Sequence, residues 1–155
     1  MSMQTNSLKT MTKSSDFIPV LHVVDYFDDP SSGVADYSGK AHWFHCEDEY
    51  CWDGATRLYR LRPMDPTWLA LEREQASIWV EWRSQFDAGL RKLDSHPGKV
   101  NDRFIELKAI LGPIRRAPVA ESVLASGEFK RESGTRYLVR WGEPTPLLLA
   151  GSPQE

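Results

Sequence analysis

Gly33-Val34-Ala35-Asp36-Tyr37-Ser38-Gly39-Lys40-Ala41-His42-Trp43-Phe44-His45-Cys46-Glu47 is a pair of strands around a two-residue reversal. Ser38-Gly39 supplies the turn, because glycine enters the left-handed region at little cost and two-residue hairpin loops need that geometry. Once the turn is placed, the register follows. Tyr37 stands opposite Lys40, Asp36 opposite Ala41, Ala35 opposite His42 and Val34 opposite Trp43. Alternation then divides the hairpin into two faces. Ala35, Tyr37, His42, Phe44 and Cys46 share the more apolar one, which is expected to face the core. Val34, Asp36, Trp43, His45 and Glu47 share the other.

Working outward, Phe17 to Phe27 is rich in β-branched and aromatic residues and reads as a strand. Asp28-Asp29-Pro30-Ser31-Ser32-Gly33 is expected to break it, with Pro30 fixing φ and Gly33 free to take a positive one. Thr56 to Arg62 reads as a fourth strand. Asp65-Pro66 opens a helix, with Asp as N-cap and Pro at a position where its missing N–H costs nothing. Trp68, Leu71, Ile78, Trp79, Trp82, Phe86 and Leu90 recur at helical spacing as far as Leu90. A second helix starts after Asn101 and is expected to stop at Gly112-Pro113, and a short third one is expected around Val119 to Ala125. Glu128 to Glu132 and Thr135 to Trp141 form a last hairpin across Ser133-Gly134.

These elements predict an α+β fold: an antiparallel sheet of five or six strands packed on one long helix and one or two shorter ones. With 155 residues, 41% of them hydrophobic, the chain supports one core. The expected organisation is a disordered N-terminal tail over 1–15, a single domain over 16–142 and an irregular C-terminal tail over 143–155.

A net charge of −3 with both signs interspersed gives no basic patch for a nucleic-acid backbone. No apolar run approaches the roughly 18 residues of a membrane span, and the N-terminal residues carry no apolar leader. Two cysteines, Cys46 and Cys51, are too few for a disulfide framework and fit a reducing, cytoplasmic setting. The acids are unevenly spread. Asp25, Asp28, Asp29, Asp36, Glu47, Asp48, Glu49 and Asp53 stand between positions 25 and 53 against Lys40 alone. Arg57, Arg60 and Arg62 follow and would pair with some of them across neighbouring strands.

The chemistry that this composition could carry is concentrated between Asp25 and His45. His42, His45, Cys46 and Cys51 superficially resemble a zinc set, but His42 and Cys46 lie about 13 Å apart along one strand and His45 faces the other way. No metal and no cofactor are expected. Asp25, Asp28, Asp36 and His42 are the acid–base candidates, because carboxylates and imidazoles with separated pKa values serve hydrolysis and elimination. No nucleophile elbow, phosphate loop or dinucleotide fingerprint accompanies them. Asp28, Asp36, Trp43, His45 and Trp52 are the binding candidates: aromatics among acids suit a protein partner with a basic surface. The preferred expectation is a non-catalytic binding module that uses the Asp25 to Ser32 loop, the Asp36/Trp43/His45 face and the Glu47 to Asp53 loop. A small hydrolase or lyase is the alternative, and a purely structural subunit the third.

Asp25-Tyr26, Asp28, Pro30, Ser32-Gly33-Val34-Ala35, Gly39 and His42, followed by the Trp-rich helix and Val139-Arg140-Trp141, resemble a family of small bacterial proteins with no assigned activity. The likeness covers about Val20 to Trp141. It implies a bacterial, intracellular, single-domain protein and transfers no catalytic role to any residue.

Overall fold

The computed structural model describes residues 16–118, 121–134 and 136–151. The tail expected over 1–15 lies outside them, as do 152–155. Among the described residues seven strands form: β1 (Ile18–Phe27), β2 (Asp29–Tyr37), β3 (Lys40–Cys46), β4 (Trp52–Asp53), β5 (Thr56–Pro63), β6 (Val123–Ser133) and β7 (Arg136–Gly142). They pair antiparallel in the order β3-β2-β1-β7-β6-β5-β4, and β3 pairs with β5 as well. That last pairing closes six strands into a barrel, with β4 added along the β5 edge where β3 ends. The expected open sheet packed on a long helix is therefore incorrect. An apolar sheet face needs cover, and here it covers itself by curling round.

The hairpin register is as the turn requires. Ala35 faces His42 and Val34 faces Trp43, and Ser38 (φ 54°) and Gly39 (φ 77°) both take the left-handed conformation of a primed turn. Four inward rings fill the barrel. Phe44, Tyr59, Phe129 and Trp141 contact one another in every pairing, at centroid separations of 5.2 to 5.8 Å. Space for them comes from small residues directly across the ladder: Gly33 faces Phe44, Ala125 faces Tyr59 and Gly127 faces Trp141. A Cβ on Gly127 would lie 2.7 Å from the Trp141 ring, and one on Gly33 2.3 Å from the His22 carbonyl oxygen. Ala35, Cys46, Leu61 and Val139 complete the core. The Trp141 indole N–H donates to the Asp36 carbonyl oxygen at 3.0 Å. Continuing the Val20–Ala35 register places Pro19 beside Asp36, and proline has no N–H for that carbonyl.

Several local expectations need correction. The Asp29 to Gly33 segment is not a loop but the start of β2, and Asp28 (φ 68°) makes the reversal. Gly33 is needed for close packing instead of for a turn. Residues expected to form a third helix near Ala125 begin β6. The tail after Gly142 contains a short helix, Pro146–Leu149, whose Leu148 packs with Cys51 and Leu58 on the barrel exterior.

The helical elements between Met64 and Val119 form a second compact unit. Here α1 (Pro66–Asp87) is capped by the Asp65 carboxylate, which accepts from the Trp68 N–H at 2.8 Å. It stops three residues short of Leu90, which is exposed. A 3-10 turn (Leu93–Ser95) and α2 (Pro97–Val100) lead to α3 (Asp102–Arg116), capped by Asn101. This helix runs through Gly112-Pro113 and does not end there. Trp68 and Trp82 are buried on α1, but so are Glu72 and Gln75. The Glu72 carboxylate, 1% exposed, receives two bonds from Arg115 (2.8 and 2.6 Å) and one from the Trp68 indole (3.1 Å). Gln75 takes a further bond from Arg115.

Two outcomes test these packing arguments. Gly33→Ala pushes a methyl into backbone, and its chemical-denaturation midpoint should reveal a loss of about 3 kcal/mol, the upper end for overpacking. Glu72→Ala strands the Arg115 cation and should cost about 3–5 kcal/mol. Glu74→Ala, which removes an exposed partner of Arg103, should change the same midpoint far less.

Candidate functional site

Along β5, Arg57, Tyr59 and Leu61 alternate inward, which places a guanidinium at one end of the aromatic core. Arg57 is 1% exposed. Its Nη1 donates to the Phe27 carbonyl oxygen (3.0 Å) and, at longer range, to that of Glu49 (3.4 Å), while Nη2 reaches toward that of Pro30 (3.5 Å). The Trp52 ring covers the guanidinium at 4.3 Å, a cation–π arrangement that strengthens as water is excluded. Tyr59 joins the same turn by donating its hydroxyl to the Pro30 oxygen at 2.7 Å. Arg57 makes no ion pair among the described residues. Its charge is compensated by backbone carbonyls, by the Trp52 face and by carboxylates farther off.

The consequence lies in what Arg57 joins. Phe27 and Pro30 flank the β1–β2 reversal, and Glu49 belongs to the segment between β3 and β4. A single side chain therefore holds two acidic segments together at one end of the barrel, Asp25, Asp28 and Asp29 on the first and Glu47 to Glu49 on the second. Tyr50 projects from the second segment with 72% exposure. Its N–H donates to the Asp48 carboxylate (2.9 Å), and its ring meets Phe27 edge-on at 5.1 Å. Tyr26, 49% exposed, lies 5.7 Å from the Tyr137 ring. Of the arginines expected to neutralise these acids, Arg60 does so, pairing with Glu47 at 3.1 Å. Arg57 is committed to carbonyls instead.

The other candidate residues are scattered. Asp25 is exposed and accepts from the Ser32 hydroxyl at 3.2 Å. Asp36 is exposed beside the Ser38-Gly39 turn, so eight residues of extended chain, about 26 Å, separate it from Asp28. His42 is buried and faces inward; its Nδ1 is 2.8 Å from the Lys40 carbonyl oxygen, and the Tyr37 ring stands edge-on at 5.3 Å. Trp43, expected on an open face with Asp36 and His45, is only 3% exposed. His45 is exposed on that face without it. Trp52 is half-buried, with its ring against the Arg57 guanidinium. Asp25, Asp28, Asp36 and His42 thus do not converge on one reacting atom.

Thiol chemistry fares no better. Burial pushes the Cys46 thiol up to about 11 and raises the Cys51 thiol as well, and thiols held protonated are poor nucleophiles. Among the described residues no three His, Cys, Asp or Glu side chains are grouped so as to hold a metal ion. No helix among them is long and apolar enough to cross a membrane.

Sequence reasoning passed over Arg57 because Thr56 to Arg62 places an arginine on both alternating faces, and periodicity alone does not say which one is enclosed. Asp29 records the enclosure. Burial, the largest influence, raises its carboxyl above the ordinary 3.8, against the opposing pull of Arg57 and with a further push from Asp28. The folded chain therefore holds this proton more tightly than the unfolded one, and the Asp29 contribution to stability is lost as pH rises from 3.8 through the folded value. Urea midpoints measured from about pH 4 to pH 7 should show Asp29→Asn gaining on the natural chain as pH increases.

Comparison with family models, with curated proteins and with solved structures found no match.

Proposed function

We propose that the chain is a non-catalytic binding module, and that its contact surface is the end of the barrel where the β1–β2 reversal meets the Glu47 to Asp53 segment. The observation that carries this reading is the Arg57 anchor. It fixes two acidic segments and presents Tyr50 outward, an arrangement in place before any partner arrives. Surfaces with little ordering left to do bind more tightly for the same contacts. The partner is a protein with a basic surface. Lysine or arginine side chains would meet Asp28 and Asp48, and the Tyr50 ring offers a face to a cation.

This surface keeps two of the three segments expected from the sequence and leaves out the third, because Trp43 is enclosed and Asp36 lies at the far end of β2. The hydrolase or lyase alternative draws no support from a gathered set of acid–base groups. Cytoplasmic location and bacterial origin belong to the same proposal and follow from the thiols and the resemblance.

Asp28→Gly removes a carboxylate at a position whose φ of 68° glycine accepts freely, and Tyr50→Ser removes the exposed ring. The double variant should lose the basic partner that the natural chain co-purifies, with an unchanged melting temperature. Asp36→Asn, at the opposite end, should retain it. Retention by the double variant, or equal loss by Asp36→Asn, would place the surface elsewhere.

A further inference from the structure

Part of the barrel's outer wall is enclosed. On β5 Arg57 and Tyr59 turn inward, so Leu58 between them turns outward. Leu58 is nonetheless buried, and Cys51 beside it is 1% exposed. Their cover is the segment Thr145 to Gly151. Leu148 packs with both, and Leu124 lies alongside. The Cys51 thiol donates to the Gly151 carbonyl oxygen at 3.1 Å, a bond across 100 residues of chain. The hold is narrow. From Glu143 to Gly151 only Leu148 is buried, and Leu147 (47%) and Leu149 (55%) stand in solvent. The short helix closes bonds of its own, with the Thr145 hydroxyl oxygen accepting from the Leu148 N–H at 3.3 Å. An element held by one buried side chain and one weak thiol donor opens far more easily than a strand of the barrel.

Beneath this cover lies one flank of the proposed contact surface. Tyr50 stands between Glu49, whose carbonyl oxygen is 3.4 Å from the Arg57 Nη1, and Cys51. Of these two holds on the backbone flanking Tyr50, the inner one is a long and therefore weak hydrogen bond. The outer one, through Leu148 and Gly151, carries more of the task. Resting on the binding-module reading, we propose that Thr145 to Gly151 is a latch on that surface. Closed, it fixes the Glu47 to Asp53 segment and the outward Tyr50 ring. Open, it uncovers Cys51 and releases the segment while the barrel stays folded. Leu148 is then a positioning residue, acting on the surface from behind through Cys51.

Iodoacetamide alkylation of the full chain, resolved by peptide mass, reports the latch. Cys46, on the inner face of the barrel, is the reference thiol that only global unfolding uncovers. In the natural chain Cys51 should be alkylated at least about tenfold faster than Cys46. Leu148→Ala should speed Cys51 by more than about tenfold beyond any change at Cys46, because truncating a buried leucine shifts such an equilibrium that far. The same variant should accelerate amide exchange at Tyr50 and Cys51, whose N–H groups bond within the turn, and cut recovery of the basic partner several-fold. Leu147→Ala, at an exposed position, should alter none of these. Equal alkylation of both thiols in the natural chain, where no variant has to fold, would overturn the latch. Selective uncovering of Cys51 with exchange or partner recovery unchanged would overturn its hold on the Tyr50 segment. Either failure leaves the contact surface standing, because the Asp28/Tyr50 variant decides that surface separately. Loss of the surface would in turn leave alkylation and exchange to decide the latch.

Discussion

Four rings inside the barrel set the terms for everything around them. Phe44, Tyr59, Phe129 and Trp141 are mutually in contact, and three of them stand opposite Gly33, Ala125 or Gly127 on a neighbouring strand. The cluster and the small residues are one constraint. A larger side chain at Gly33 or Gly127 meets backbone or a buried ring, and a smaller one at Phe44 opens a void that close-packed surroundings do not refill. Closure of six strands brings these rings together, which no open sheet of the same strands would do. Because these rings occupy the interior, the parts left to meet another molecule are the ends and the outer face.

Charge in this chain is enclosed in two different ways. Glu72 and Arg115 bury a carboxylate with a matched guanidinium, and two further bonds, Trp68 to Glu72 and Arg115 to Gln75, use the groups that remain. Arg57 has no such carboxylate. It relies on carbonyl oxygens and on the Trp52 face, a weaker set for a group that resists dehydration. Acidic side chains stand on both segments that this second cation joins. Asp29 attracts the enclosed cation, yet its own burial dominates and raises its carboxyl.

Much of the local structure was legible because its causes are local. The Ser38-Gly39 turn fixed its own register through two positive φ angles, and Asp65-Pro66 and Asn101 opened helices through caps that need only neighbouring residues. Closure was not legible. A strand that lines a barrel and one that lines an open sheet share a period of two, so the pairing of β3 with β5 leaves no mark on either strand alone. Gly33 was misread for a related reason: its need arises from Phe44 and from the His22 carbonyl, both remote in the chain. Glu72 falls within an otherwise ordinary run of helix-forming residues, and only Arg115, 43 positions later, makes its burial tolerable. Arg57 shows the same limit at the candidate site, since an enclosed arginine and a surface one are spelled alike.

The scatter of Asp25, Asp28, Asp36 and His42 follows from the same architecture. In a packed barrel, residues on successive positions of a strand point alternately inward and outward, and residues far apart on it sit at opposite ends. Asp36 and His42 are close in sequence but are divided by the wall of the barrel, while Asp28 and Asp36 are divided by its length. Acid–base chemistry needs groups within one or two hydrogen bonds of the same atom. Recognition has a looser requirement: side chains need only share a surface and be held there. The Arg57-linked segments meet that requirement and the acid–base candidates do not meet theirs, so binding is the reading that this geometry favours.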